Sequence, residues 1–406
     1  MAFCALLAGL FLFAPQQDFL AEGLKALDGN QPAAAEALFR RATEADANDF
    51  SAHFNLALSL SLQQKDAEAI SELRRTLELK PALYEADINL ATLLLRNKRF
   101  AEAVPVLQES VALKPAEARA SLFYAQALYE TGDTPHAEEY YRKAAELDPK
   151  SAVAQTGLAR SLLKEGKPAD SAASFRTAAA LDPERKSGLL EVAAAYEQAK
   201  MLPEAVEILR EFPENAPAKE HLARMLVEIG NFSAAIPGLE ATARQSPTAA
   251  NRLALADAYK MNKQTDKAVE QLQLAAAAEP SNFDVHMELG RELRDQRKFT
   301  IAAQQFAAAA KLRPDAVKAW NELAAVSVVN EDYAGGLAAL DHVRALGKEV
   351  PGDFFYRAIS LEKLKQPKPA MEAYRQFLAT DGGKMPDQEF QARQRVRIIE
   401  SELNRK

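Results

Sequence analysis

The chain reads as an all-α solenoid, about eleven stacked helix hairpins closed by a C-terminal capping helix. Three observations lead there. Pro81, Pro115, Pro149 and Pro183 are spaced by 34 residues, and Pro280 stands 34 before Pro314. Between such prolines, apolar residues recur at helical spacing in two separate stripes, so each period holds a pair of helices. One column of the first helix is small throughout: Ala57, Ala91, Ala125, Ala159, Ala223, Ala256, Gly290 and Ala324. Only a minimal side chain there lets the two helices of a hairpin approach closely.

Residues 283–314, FDVHMELGRELRDQRKFTIAAQQFAAAAKLRP, show the unit most clearly. His286, Leu289, Gly290 and Leu293 share one face, Gln296-Arg297-Lys298 interrupts, and Phe299, Ala302, Phe306 and Ala309 open a second stripe that Pro314 ends. A period of 34 built from two helices, with leucine and a small residue in the first helix and alanine, aromatic or leucine, and alanine in the second, closely resembles the tetratricopeptide repeat family. The resemblance covers roughly residues 16–378. It implies a right-handed superhelical array that serves as a scaffold or adaptor, with no catalytic activity of its own.

Residues 1–15 form an apolar N-terminal segment. The run MAFCALLAGLFLFA at 1–14 carries no charge and has about the length of a signal-peptide core, which points to export or an uncleaved anchor. The absence of Lys or Arg before it, and Leu12-Phe13 where a cleavage site wants small residues, count against export, and the alternative is a buried helix covering the first repeat, in a cytoplasmic protein. Repeats one to six span residues 16–213. The first lacks the closing proline and ends at Asp46-Ala47-Asn48, while the second to fifth keep strict phase, with Tyr141 and Phe175 in the large apolar position of the second helix. Gly29-Asn30, Asn97-Lys98, Gly132-Asp133 and Glu165-Gly166 supply residues that tolerate a left-handed backbone at the reversals.

In the sixth unit Pro213 arrives early, and Pro183 to Pro247 is only 64 residues, so two units have lost about one helical turn between them. The second helix should end sooner there, and residues 212–217 are either a hinge or a place where repacking absorbs the loss. Repeats seven to eleven span 214–384. Trp320, the sole tryptophan, sits at the large position opening the tenth first helix, and Gly335-Gly336 should loosen its partner. Residues 385–406 form the capping helix, with Phe390, Val396, Ile399 and Leu403 as its apolar stripe.

Composition narrows the function. With 50 Lys and Arg against 57 Asp and Glu the net charge is −7, which disfavours a nucleic-acid surface. Cys4 is alone, which excludes an internal disulfide and a cysteine-based zinc site. The five histidines His53, His136, His221, His286 and His342 fall in five repeats with no pair at metal-ligand spacing, so no metal or other cofactor is expected. Gly166-Lys167-Pro168 is not a phosphate loop, because proline replaces the hydroxyl residue and no strand precedes it. No small-molecule substrate and no catalytic residue is expected.

What such an array has is a concave groove lined by its first helices. Asn55 and Asn89 face that groove in neighbouring repeats, where stacked amides can hold the backbone of an extended peptide, an arrangement that resembles the asparagine ladder of the O-linked N-acetylglucosamine transferase repeats. It has two rungs, since Phe123, Gly157 and Glu191 follow. A second column, Arg160, Arg224 and Arg291, offers guanidinium groups to an acidic partner. Glu228 and Asp295, four residues after Arg224 and Arg291, could instead pair with them along the helix. The column Phe54, Ile88, Leu122, Leu190, Leu253 and Met287 lacks the lysine of the family's clamp for a C-terminal carboxylate. The expected function is therefore binding of a peptide segment or partner protein by a monomer, to assemble a protein complex. The rival is a self-associating structural solenoid without a peptide ligand.

Overall fold

A computed structural model describes residues 18–404, and the apolar run at 1–14, with Cys4, lies outside the described residues. Contacts divide the chain into two compact units that meet between Ile208 and Leu209, slightly before the 213/214 boundary expected from the proline spacing.

In unit 1 the hairpins are α1 (Phe19–Asp28) with α2 (Pro32–Ala45), α3 (Phe50–Leu62) with α4 (Asp66–Leu79), and α5 (Tyr84–Arg96) with α6 (Phe100–Leu113). They continue with α7 (Ala118–Thr131) and α8 (Thr134–Leu147), then α9 (Ala152–Lys164) and α10 (Pro168–Leu181). A 3-10 turn (Pro183–Gly188) leads into α11 (Leu189–Gln198) and α12 (Leu202–Leu209). In unit 2 they are α13 (Ala216–Glu228) with α14 (Phe232–Gln245), α15 (Ala249–Met261) with α16 (Thr265–Ala278), and α17 (Phe283–Asp295) with α18 (Phe299–Leu312). The last pairs are α19 (Val317–Val329) with α20 (Tyr333–Ala345) and α21 (Pro351–Lys363) with α22 (Pro367–Thr380), capped by α23 (Pro386–Asn404). No described residue is in a strand, and among the described residues no helix is long and apolar enough to cross a membrane. The all-α solenoid expected from the periodicity is therefore what forms.

Each hairpin reverses through one left-handed residue at the same column: Asn30, Gln64, Lys98, Gly132, Gly166, Lys200, Gly230, Lys263, Arg297, Glu331 and Lys365. The sequence marks this column weakly, because a lysine, glutamine or arginine does the work of glycine in most repeats. Inside each hairpin the small residue of the first helix meets the large one of the second. A Cβ built on Gly23 would stand 2.5 Å from the Phe39 ring, and one on Gly290 would stand 2.6 Å from Phe306. Both rings are fully buried. A single helix pair cannot shelter these stripes, so neighbouring hairpins bury them for one another, and in unit 1 the apolar core runs continuously from Ala35 to Leu162.

α12 ends after 8 residues where α10 runs for 14, so the second helix of the sixth unit does end sooner, as the chain turns at Phe212 ahead of Pro213. Two local expectations need correction. Gly335 and Gly336 do not loosen α20. Asp332 caps the Gly335 amide at 2.9 Å, and a Cβ on Gly336 would stand 2.9 Å from Val328, so the second glycine is a packing residue. Phe390 is 65% exposed and outside the stripe of α23, which is Ala392, Val396, Ile399 and Leu403. Residue 390 is two positions from 392, about 200° around the helix, and lines the rim of a surface recess with Phe355 and Tyr374 and not the buried stripe.

Candidate functional site

Neighbouring first helices touch in unit 1, α1 with α3, α5 with α7 and α7 with α9, and in unit 2 α19 touches α21. They form a wall whose residues come from successive hairpins. Of the expected groove-floor column, Ile88 and Met287 are buried while Phe54, Leu122, Leu190 and Leu253 are half-buried, so these residues mainly weld adjacent hairpins. Apolar groups left on the unit 1 wall include Leu24, Leu62 and Val153, of which Leu62 is 65% exposed.

Asn55 and Asn89 occupy neighbouring hairpins of unit 1, yet each amide donates into its own helix. Asn55 Nδ2 donates to the Ser51 carbonyl at 2.8 Å and Asn89 Nδ2 to the Glu85 carbonyl at 2.7 Å. The arginine column is divided between the units. Arg160 donates to Glu191 of the next hairpin at 2.9 Å. Arg291 pairs with Glu288 and reaches Glu322 of the next hairpin at 3.8 Å, and Asp295 is taken by Arg294. The i,i+4 pairing with Asp295 therefore does not form. Arg224 is exposed and has no ion-pair partner among the described residues, Glu228 included. Such exposed pairs are worth about 0–1 kcal/mol and separate readily when a partner competes.

The wall also holds a recess that the sequence reading missed. Between α7 and α9 lies a cavity of about 190 Å³ lined by Tyr129, Glu130, Arg160 and Arg185, with Tyr141 of α8 reaching into it. Tyr141 was expected only as the large apolar filler of a second helix. The available signal was a tyrosine in a column held mostly by Phe or Leu, with Tyr374 the other exception, followed in the next repeat by Gly157. Burial pushes the Tyr141 phenol up, and the Glu130 charge adds to the shift. Lys164 sits 4.4 Å above the Tyr129 ring.

A family model described as "Tetratricopeptide repeat" matches residues 20–83, 88–152, 156–220, 222–283 and 287–353, and a second model of the same description matches 354–381. Among solved structures, the chain is similar to MamA 41-end from Desulfovibrio magneticus RS-1, at 22% identity over 41% of this chain and 94% of that one, with a TM-score of 0.39. It is also similar to YrrB, titled a TPR protein with an unusual peptide-binding site, at 18% identity over 42% of this chain and 88% of that one, with a TM-score of 0.41. A comparison with curated proteins returns no match.

Proposed function

The chain belongs to the tetratricopeptide repeat family, a protein-interaction fold, and from that premise we propose that it is a non-enzymatic scaffold that binds a peptide segment or partner protein along its first-helix wall to assemble a complex. The observation that carries this reading is the state of the unit 1 wall: exposed apolar groups such as Leu62 and Val153 stand among charges held only by exposed, exchangeable pairs such as Arg160 with Glu191. A ligand that covers the apolar groups gains about 25 cal/mol per Å² of buried surface, and the loose pairs can re-aim toward it at little cost. Asn55 and Asn89 contribute through their free carbonyl oxygens, and Arg160, Arg224 and Arg291 through their guanidinium groups. The uncharged run at 1–14 supports export or membrane association.

The test compares partner recovery by the immobilised full chain, by a wall variant (Leu62→Glu with Arg160→Glu) and by a variant of an exposed second-helix residue, Arg142→Glu. Loss of the partner from the wall variant alone supports the proposal. Equal recovery by all three overturns it, and mass that grows with concentration in sedimentation without any partner favours self-association.

A further inference from the structure

Resting on the wall as the binding surface, we propose that the recess between α7 and α9 is a specificity pocket for a side-chain carboxamide, an Asn or Gln of the bound peptide. Its construction begins with Tyr141. The column it occupies is filled by the buried, apolar Leu73, Leu107, Phe175 and Phe306 in other hairpins and by Tyr374 in the last, whose hydroxyl donates to Glu362 at 3.0 Å, whereas the Tyr141 hydroxyl has no such partner among the described residues. Gly157 gives that hydroxyl a route. A Cβ at position 157 would overlap the Tyr141 ring, so only glycine lets the ring cross α9 and carry its oxygen to the first-helix wall. The residue is only 6% exposed, and its hydroxyl has no hydrogen-bond partner among the described residues. A buried phenol whose pKa is pushed up stays protonated at neutral pH and is available as an O–H donor.

Beside it, the exposed Glu130 carboxylate has no ion-pair partner among the described residues. The two arginines at the rim pair away from the recess, Arg160 with Glu191 at 2.9 Å and Arg185 with Asp182 at 3.1 Å. What the recess leaves open includes the Tyr141 hydroxyl as a donor and the Glu130 carboxylate as an acceptor, with the Gln126 carboxamide and the Tyr129 hydroxyl beside them. Of the charged residues that line the recess, Glu130 stands against Arg160 and Arg185, and the two arginines are paired with Glu191 and Asp182 outside the lining. A carboxylate ligand would meet Glu130, and an ammonium would meet Arg160 and Arg185. A carboxamide adds no net charge, accepts from Tyr141 through its oxygen and donates to Glu130 through its nitrogen. A volume of about 190 Å³ admits one such side chain and little more.

The probe is a random dodecapeptide library displayed on phage and selected on the full chain, with the enriched peptides then synthesised. We expect one fixed position to enrich Asn or Gln. Replacing that residue by Ala, Glu or Lys should weaken binding at least about tenfold, as a site built around unpaired polar groups rejects ligands that leave them unpaired. Tyr141→Phe and Glu130→Gln should each lose a similar factor for the parent peptide and none for its Ala version, which shows that the variants remain folded. Enrichment of acidic or basic residues at that position, or equal affinity for Tyr141→Phe and wild type, overturns the carboxamide assignment alone. If no selected peptide is displaced by the Leu62→Glu, Arg160→Glu wall substitutions, the wall reading and this assignment both fall.

Discussion

The indole N–H of Trp320 donates to the carbonyl of Pro314 at 2.9 Å. The same column makes the same bridge elsewhere, with His286 Nε2 donating to the Pro280 carbonyl at 3.0 Å and His53 Nε2 to the Ala47 carbonyl at 3.2 Å. Each ties the start of a first helix to the end of the preceding hairpin, which explains why ring N–H groups recur in a column described as large and apolar. The Trp320 ring also stacks on His342 at 4.1 Å.

Trp320→Phe keeps a flat ring and deletes the donor, and should cost about 1 kcal/mol. Trp320→His is smaller and less apolar but restores the donor. It should be at least as stable as the phenylalanine variant in urea unfolding followed by circular dichroism. A phenylalanine variant clearly more stable than the histidine one would show that area, not the bridge, sets the preference.

Gly290→Val should destabilise the α17–α18 hairpin by about 1–3 kcal/mol, because the added carbons meet a fully buried Phe306 ring that has nowhere to move. Neighbouring hairpins solve the same packing with alanine against leucine, as in Ala256 with Leu272 and Ala324 with Leu340. The double change Gly290→Ala, Phe306→Leu should therefore recover most of the loss. Hydrogen exchange of α17 and α18 amides reads both effects, and equal protection in Gly290→Val and wild type would disprove the steric account.

The left-handed column makes a paired prediction. Lys98 pays the side-chain penalty of φ 57°, so Lys98→Gly should leave stability unchanged or raise it by up to about 1 kcal/mol. Gly132, at φ 92°, has no side chain to strain, and Gly132→Ala should lower stability by about 1 kcal/mol. Thermal unfolding of both variants decides, and a stabilising Gly132→Ala would refute the reading.

Hairpin number, phase and the partnership of small and large columns were legible because each has a steric cause repeated many times: Ala91 says little alone, but eight small residues at one phase say much. The reversals were legible where glycine or asparagine stood, as at Gly132, and illegible at Gln64 or Glu331, because the turn is imposed by the packed helices and not by local preference. The fate of groove residues was least legible. Arg291 chooses Glu288 and Glu322 over Asp295, since the next hairpin brings Glu322 within reach, and periodicity alone does not give that distance. Tyr141 was read as filler because its meaning lies in Gly157, on a different helix.

Asp87 stands in the same column as Trp320, His53 and His286, and there the bridge fails. Arg252 and His286 find Gln271 and Gln305 nineteen residues on, but the equivalent residue in this hairpin is Val106, and one Asp87 carboxylate oxygen is buried without a partner. Burial, reinforced by the Glu109 charge, raises its pKa to about 7. The unfolded carboxyl titrates near about 3.9. Between those values the native state holds a proton that the unfolded chain has released, so stability must fall as pH rises through this window, by up to about 1.4 kcal/mol per pH unit. Above the native pKa the loss is complete. Asp87→Asn keeps the shape without the ionisation, so it should unfold at a higher temperature than wild type at pH 8 and lose that advantage at pH 4. All other titrating groups are common to both proteins, and the difference between their melting curves isolates this carboxyl. A difference that does not change with pH would mean that Asp87 is already solvated or paired.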